Sequence, residues 1–283
     1  MRTITAAELA SFNTDGFVII PDFFTSAEVS ALQAEIVVLQ ANGKLNNVAT
    51  IGDSKTISTE VFNLQICPIG LPNSRLIASL PWREGIPEAI KLLLRGHSVQ
   101  HLDQIFLKPA RHGTGTNWHT DNGYFHATDP RYGVGMWIAV HDANRANGTM
   151  RFIPRSHLQT WEHERDGDSN HHFTCKKLVD PSQEVLVEVP AGGVAFFNYG
   201  VAHSTGPNTT AHERAGLALH FMLGTNVSLT DHHFKECPPE NWRWLSGSQC
   251  NGGKTYHGED LRGAWQAEVA RLSSSGNCAT AAV

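Results

Sequence analysis

The first part of the chain alternates between helical and strand-like patterns of apolar positions. Thr5 and Glu8 have the spacing of a capping box, which predicts a short helix beginning at Ala6. The run GFVIIPDFF then predicts a strand that ends at its proline. Thr25 opens a second predicted helix, which Gly43 ends. Its apolar side chains recur at helical spacing, at Val29, Leu32, Ile36 and Leu39.

From about residue 98 the pattern changes to short β-rich runs separated by Gly, Pro and Asn. The preceding stretch, residues 46–81, predicts strands and loops, and PEAIKLLLRG predicts a short helix ending at Gly96. Strands at hairpin-like distances favour a β-sandwich or barrel of the jelly-roll type. The runs are HLDQIFLKP, TNWHTDN, GVGMWIAVHDA, GTMRFIP, EVLVEVP, GVAFFNY and RAGLALHFML, with an eighth around VAHSTG.

We therefore expect one mainly β (α+β) domain over residues 1–283, with 41% hydrophobic residues sufficient for one substantial core. The β core is predicted at about 98–225, with supporting helices and strands at about 1–97 and a C-terminal extension at about 226–283. The loop at residues 157–177 is long and polar, which predicts a mobile lid.

Composition narrows the function classes. The formal net charge is −5 and no basic run of five residues occurs, so a nucleic-acid partner is not favoured. Apolar runs are too short to span a bilayer, and the N-terminus lacks the apolar core of a signal peptide. The five cysteines are scattered without a CxxC motif, which argues against a disulfide framework and favours a reducing, cytoplasmic location.

Sixteen histidines raise both the chance of a metal site and the chance of false matches. Two His-x-Asp pairs occur, His101 with Asp103 and His119 with Asp121, and roughly one is expected by chance. In a strand, this spacing places both side chains on one face. A non-haem Fe(II) site that activates oxygen requires two histidines and one carboxylate, with the remaining positions open.

A lone histidine far downstream completes such a site. His203 follows the predicted strand GVAFFNY and a glycine turn, and Arg214 lies eleven residues further on, where the next strand opens. An arginine in this place can hold a carboxylate through two parallel hydrogen bonds. That carboxylate is the group that 2-oxoglutarate presents at its far end. His203 and Arg214 are therefore interpreted as third ligand and co-substrate anchor.

Three motifs in this order resemble the phytanoyl-CoA dioxygenase family of Fe(II)/2-oxoglutarate-dependent oxygenases. They are WHTDN, ANGTMRFIPRSH and HSTGPNTTAHERAG, and the resemblance extends over about residues 98–225, with a family-like opening in FNTDGFVIIPDFFTSAEVSAL. It implies a double-stranded β-helix that binds Fe(II), 2-oxoglutarate and O₂. It assigns His119, Asp121 and His203 to the iron and Arg214 to 2-oxoglutarate.

Two further residues carry over from the same resemblance. Thr205 lies two positions after the distal histidine, where a hydroxyl commonly assists in holding the same carboxylate. Gln104 lies on the strand before the metal strand, where relatives often place a polar side chain on 2-oxoglutarate. Gln104, Phe106 and Lys108 share strand parity and are expected to line the barrel. The sequence departs from the family at Ser204, where relatives often have glycine.

Other candidates have structural interpretations that compete with functional ones. His101 with Asp103 lacks a matching downstream partner set, so a structural pair is expected. His232 and Arg243 repeat the eleven-residue spacing, but they lie in a segment that predicts a loop. His220 is expected either to contact substrate or to be a hydrogen-bonded core histidine. The remaining candidates are expected to support a loop or to form pocket walls or core: His157, Trp118, Phe125, Trp137 and Phe197.

The sequence thus predicts a dioxygenase that hydroxylates, demethylates or desaturates a C–H bond of a small-molecule metabolite, with release of succinate and CO₂. A small polar metabolite is favoured because no long basic groove for a CoA or nucleotide is evident. The resemblance also implies that transfer of halide is disfavoured, because relatives that transfer chloride have a small residue in place of Asp121. Alternatives are a zinc-dependent hydrolase, a non-catalytic cupin-like binding protein and a structural β-sandwich.

Overall fold

A computed structural model describes residues 2–279 except residues 52, 54, 68, 72, 167–172, 178, 228–233 and 235–237. Its helices are α1 (Ala6–Asp15), α2 (Ser26–Ala41), α3 (Arg75–Ser79), α4 (Ile86–Leu94), α5 (Asn122–Phe125), α6 (Lys254–His257) and α7 (Ala264–Ala279). Its strands are β1 (Phe17–Ile20), β2 (Asn46–Asn47), β3 (Leu64–Ile66), β4 (Ser98–Lys108), β5 (Thr116–His119), β6 (Gly133–Ala139), β7 (Met150–Phe152), β8 (His163–Arg165), β9 (Phe173–Cys175), β10 (Val185–Leu186), β11 (Val194–Asn198), β12 (His203–Thr205), β13 (Arg214–Leu223) and β14 (Arg243–Trp244).

The strands form two main antiparallel sheets. The larger sheet has the order β1-β11-β6-β13-β4-β3-β2, and β14 also pairs with β4. The smaller sheet has the order β10-β7-β12-β5, and β8 pairs with β9 in a separate hairpin. All eight β-rich runs recognised in the sequence form strands (β4 to β7 and β10 to β13). The mainly β, jelly-roll prediction is therefore confirmed.

Side-chain alternation along β4 separates the two faces of the larger sheet. Ile105 and Leu107 are buried in a core cluster that also contains side chains from α2 and α4. Gln104, Phe106 and Lys108 line a cavity between the two sheets, as their shared parity predicts. The helices thus cover the outer face of the larger sheet, and the inner face is left for the site.

The N-terminal elements follow their sequence signals. Both predicted helices begin with capping boxes, Thr5 with Glu8 and Thr25 with Glu28. Gly16 ends α1 at φ 87°, a conformation that favours glycine, and the chain turns directly into β1 at the edge of the larger sheet. The apolar positions of α2 that recur at helical spacing are all buried (Val29, Leu32, Ile36 and Leu39).

Three short elements contradict the sequence predictions. The stretch predicted as strands and loops contains α3, which Ser74 caps through a bond from the Ile77 N–H. The predicted loop at 157–177 contains the β8–β9 hairpin, and the segment around Arg243 contains β14. Elements this short are stabilised by their partners and by burial, which a local pattern does not reveal.

The first His-x-Asp pair lies in the interior of β4. Asp103 is fully buried, and it accepts hydrogen bonds from the Ile69 N–H (2.6 Å), from Gln100 Nε2 (3.1 Å) and from both terminal nitrogens of Arg243 (3.3 Å). The β4–β13 register shifts at His101, whose ring instead packs on Phe125. The structural interpretation of this pair is confirmed, and its carboxylate joins β14 to the sheet.

None of the described helices combines the length and the apolarity required to cross a membrane.

Candidate active site

The two predicted histidine ligands lie on neighbouring strands. β5 and β12 pair antiparallel, and His119 is directly opposite His203, with ring centroids 4.3 Å apart. Directly opposite residues bring their side chains closer than any other cross-strand pair. Strand pairing alone therefore joins two residues that are distant in the sequence.

Asp121 reaches the histidines from a turn and not from the strand. β5 ends at His119, and Asp121 has helical backbone angles (φ −59°, ψ −30°) at the start of α5. The expectation that His119 and Asp121 share one strand face is therefore wrong, although their side chains do converge. Oδ1 of Asp121 lies 3.5 Å from Nε2 of His203, and one potential ligand atom from each of the three residues lies within 4.8 Å of the others.

Backbone carbonyls fix the tautomers of both imidazoles. Nδ1 of His119 lies 2.8 Å from the Asn117 carbonyl oxygen, and Nδ1 of His203 lies 2.9 Å from that of Val201. Because a carbonyl oxygen only accepts hydrogen bonds, each Nδ1 carries the proton and each Nε2 carries the lone pair. This arrangement is typical of metal-ligating histidines.

The carboxylate of Asp121 is buried and remains ionised. Burial acts to raise its pKa, but electrostatic interactions with the imidazoles of His203 and His220 outweigh this effect and hold the pKa at about 2. Its Oδ2 atom is buried and has no hydrogen-bond partner within normal geometry. A buried anion beside two imidazole lone pairs fits a divalent cation. Two histidines and one carboxylate suit Fe(II), and they also suit zinc.

A second charged group lies in the same cavity. Arg214 is the first residue of β13 and is directly opposite Lys108, the last residue of β4. Both side chains are buried. Arg214 donates to the Gly148 carbonyl oxygen and lies 5.6 Å from the centre of the Trp137 ring. Gly216 makes room for that ring, since a Cβ there would approach the Trp137 indole nitrogen to 2.6 Å.

Among the residues that the structure describes, no carboxylate balances the charge of these two side chains. Within the described residues, neither Lys108 nor Arg214 forms a salt bridge with a carboxylate. Burial and the guanidinium groups of Arg214 and Arg151 lower the pKa of Lys108, and burial lowers the pKa of Arg214 to about 10. Like charges opposite each other in a sheet are destabilising. This end of the cavity is therefore suited to an anion.

Thr205 and Gln104 line the same cavity as the other predicted residues. The Thr205 hydroxyl accepts a hydrogen bond from Lys108 Nζ (2.7 Å) and one from the Thr116 N–H (3.1 Å). Gln104 Nε2 lies 3.2 Å from His220 Nε2. Sequence reasoning placed Lys108 in the barrel but gave it no role. A lysine directly after the apolar run at residues 105–107 was the available signal, because buried lysines are rare.

The remaining candidate residues lie in the cavity wall, next to it or in a neighbouring loop. Trp137, Phe197 and His220 line the cavity, whereas Phe125 packs on His220 and Trp118 lies beneath the Arg151 guanidinium. Ser204, where relatives often have glycine, fits because its hydroxyl accepts a bond from Arg151 Nε (3.0 Å). The loop that carries His157 is held by Ser156, whose hydroxyl accepts from the Ala202 N–H. His232 lies outside the described residues.

The phytanoyl-CoA dioxygenase family model matches residues 12–216. The chain belongs to this family. The resemblance drawn from the three motifs is thereby confirmed, and so is the assignment to the dioxygenases. Residues 12–216 include every residue to which the sequence analysis gave a role at the iron or at 2-oxoglutarate.

The chain is also similar to individual proteins of known activity or structure. Ectoine dioxygenase of Halomonas elongata is 26% identical over 229 residues, which cover 75% of this chain and 68% of the relative. The crystal structure of EctD from S. alaskensis with 2-oxoglutarate and 5-hydroxyectoine superposes with a TM-score of 0.61 at 23% identity, covering 79% and 77% of the two chains. The non-haem α-ketoglutarate-dependent carbocyclase SnoK from nogalamycin biosynthesis gives a TM-score of 0.64 at 20% identity, covering 87% and 94%. These superpositions confirm the fold.

Proposed function

We propose that this protein is an Fe(II)- and 2-oxoglutarate-dependent dioxygenase that oxidises a C–H bond of a small-molecule metabolite. The observation that carries the proposal is one cavity with two complementary charged ends. One end has the ligand atoms of His119, Asp121 and His203 within 4.8 Å of one another. The other end has two buried cations, Lys108 and Arg214, directly opposite each other. Solved relatives of the same fold contain 2-oxoglutarate.

Each end has a distinct task in this proposal. His119, Asp121 and His203 would hold Fe(II) through two imidazole nitrogens and one carboxylate. Arg214 and Lys108 would bind the distal carboxylate of 2-oxoglutarate, whose negative charge offsets the repulsion between them. Thr205 would orient Lys108 through its hydroxyl. Lys108 is an addition to the anchor set that the sequence predicted.

The iron would supply the redox chemistry, because bound Fe(II) with O₂ converts 2-oxoglutarate to succinate and CO₂ and oxidises the substrate. The chain's own contribution is orientation and exclusion of water. Apolar side chains of Phe106, Trp137 and Phe197 line the same cavity. They would keep the reacting groups in a water-poor space, where charge–charge interactions are stronger than in bulk solvent.

We propose hydroxylation of a small polar metabolite as the reaction. The names of the relatives support a small molecule, since several are ectoine dioxygenases. The net charge of −5 does not favour a nucleic acid. Product analysis distinguishes hydroxylation from demethylation and desaturation, because the three change the substrate mass differently.

Anaerobic addition of Fe(II) and 2-oxoglutarate to the metal-free protein tests the site. The expected result is a visible charge-transfer band, followed on admission of O₂ by succinate release that rises with the correct metabolite. His203→Ala should lose the band. His212→Ala, which changes an exposed histidine in the loop before β13, is the matched control and should keep it. A zinc hydrolase or an inert binding protein would show neither the band nor succinate.

A further inference from the structure

A chain of polar side chains leads from β3, the strand next to the edge of the larger sheet, to Asp121. Gln65 Nε2 lies 3.0 Å from Gln104 Oε1, and Gln104 Nε2 lies 3.2 Å from His220 Nε2. His220 Nδ1 in turn lies 3.4 Å from Asp121 Oδ2. The four residues come from β3, β4, β13 and the turn after β5. His220 and Asp121 are both buried.

The chemistry of these groups fixes the direction of each polar contact. The Asp121 carboxylate accepts only, so His220 Nδ1 must carry a proton. In a neutral imidazole the other nitrogen then accepts, so Gln104 must turn its NH₂ group toward His220 Nε2. The Gln104 carbonyl oxygen therefore faces away and accepts from the Gln65 amide. The four residues form one ordered donor series that ends on Asp121 Oδ2.

The two oxygens of Asp121 thus face different groups. Oδ1 faces His203 Nε2 at 3.5 Å, on the side of the ligand cluster. Oδ2 faces His220 Nδ1 at 3.4 Å, and both atoms are buried without a hydrogen bond of normal geometry, so each is the nearest polar group available to the other. A proton on His220 Nδ1 also prevents that nitrogen from acting as a further metal ligand. The aromatic rings of Phe125 and Tyr199 pack on His220 and hold the imidazole in place.

We propose that His220, set by Gln104 and Gln65, is a positioning residue that keeps Asp121 bound to the metal through Oδ1 alone. One-oxygen binding leaves an additional coordination position open, and a two-oxygen carboxylate would fill it. Gln104 then acts by supporting His220, whereas the family resemblance implied a direct contact between Gln104 and 2-oxoglutarate. The inference rests on the proposed function, since it assumes that Asp121 is a metal ligand.

Two substitutions of His220 separate positioning from packing. His220→Asn keeps an N–H donor on the atom attached to Cγ, where Nδ1 stands, although it is smaller and leaves a cavity. His220→Leu fills the space better and removes the donor. A purely structural role therefore predicts that Leu is tolerated better than Asn. Positioning of Asp121 predicts the reverse order for metal binding.

Anaerobic titration of the metal-free protein with Fe(II), and with Co(II) as a redox-stable probe, measures the effect. His220→Leu should weaken metal binding about 10- to 100-fold, the usual loss when a partner of a ligand is removed. It should also change the visible Co(II) spectrum, which reports coordination number. His220→Asn should stay close to the unaltered protein in both measurements, even where thermal unfolding shows it to be the less stable variant.

Gln104→Met provides a second route if the His220 variants do not fold. It removes the donor to His220 Nε2 and should produce the same spectral change to a smaller degree. His101→Leu is the matched control, because this buried histidine packs on the same Phe125 and Tyr199 rings. It should leave metal affinity unchanged.

The outcomes separate this inference from the proposed function. If metal binds the unaltered protein but not Asp121→Ala, and His220→Leu binds as tightly as the unaltered protein, the positioning role is refuted while the function stands. Equal losses in the Asn and Leu variants also refute it. If the unaltered protein takes up neither Fe(II) nor Co(II), both proposals fail.

Discussion

Two regions of this molecule bury charged side chains, and they do so in opposite ways. In the sheet, Asp103 has a cation, an amide and a backbone N–H around it, so its charge is balanced by the protein itself. In the cavity, Asp121 has a buried oxygen without a normal hydrogen bond, and Lys108 and Arg214 face each other. Both aspartates belong to His-x-Asp pairs, so the motif alone does not separate them.

The difference lies in where the compensating charge comes from. A buried charge that is matched within the chain contributes to the architecture, and its loss leaves its partner stranded. A buried charge without a match destabilises the folded protein until a ligand of opposite charge arrives. The first kind of substitution should therefore affect stability, and the second should affect binding.

The largest effect on activity is expected from Asp121→Ala. Because this change removes an anionic metal ligand, succinate formation should fall by more than about 100-fold, beyond the loss usual for an indirect partner. Succinate assays with excess Fe(II) measure it, and circular dichroism checks that the variant is folded. Turnover at the original rate would remove Asp121 from the site and erase the contrast with Asp103.

Arg243→Met should produce the largest loss of stability. It leaves Asp103 as an uncompensated buried anion, which costs about 3–5 kcal/mol in free energy of unfolding. Metal affinity of the folded protein should not change. Chemical denaturation provides the measurement, and Lys176→Met is the control, since its exposed ion pair with Glu162 should contribute about 1 kcal/mol or less. Equal losses in the two variants would contradict the distinction between matched and unmatched buried charges.

Lys108→Met, unlike Arg243→Met, is expected to weaken ligand binding without lowering the stability of the protein. Removal of one of two facing cations should leave the metal-free protein as stable as before or more stable. The dissociation constant of 2-oxoglutarate should rise about tenfold or more, because a charge-assisted hydrogen bond contributes about 1.5–3 kcal/mol. Thermal unfolding of the metal-free protein measures the stability. Anaerobic calorimetry on the Fe(II)-loaded protein measures the affinity for 2-oxoglutarate. A destabilised variant with normal 2-oxoglutarate affinity would reverse the assignment.

The smallest effect is a dependence of 2-oxoglutarate affinity on pH. Burial and neighbouring cations lower the pKa of Lys108 in the free protein, and a bound carboxylate would raise it again. Between these two pKa values, binding must take up a proton. The apparent dissociation constant should therefore increase with pH, by at most about tenfold per pH unit. Lys108→Met should abolish this slope, and persistence of the slope would show that another group titrates.

Local signals predicted the parts of the fold that depend on neighbours in the sequence. Thr5 with Glu8 and the apolar spacing of α2 are local patterns, and the structure has the helices that they predict. The eight strands of the core were recognisable because each combines β-prone residues with flanking turn residues. Family motifs then identified side chains that meet in one cavity, although the sequence did not predict the path of Asp121 through a turn.

Pairings between distant residues were beyond the same reasoning. Asp103 and Arg243 are 140 positions apart, and Lys108 meets Arg214 only because β4 pairs with β13 in one particular register. The β8–β9 hairpin and α3 have few residues and little pattern of their own. The series from Gln65 to Asp121 requires four separate elements to be in place, so it becomes visible only in three dimensions.

Because His119 is paired directly with His203, the distance between their rings does not depend on the length of the segment between β7 and β10. Insertions or deletions between β7 and β10 would leave the distance between the two rings unchanged, provided that β5 and β12 still pair. The β8–β9 hairpin in this segment can therefore vary in length and sequence while the pair of histidine ligands keeps its geometry.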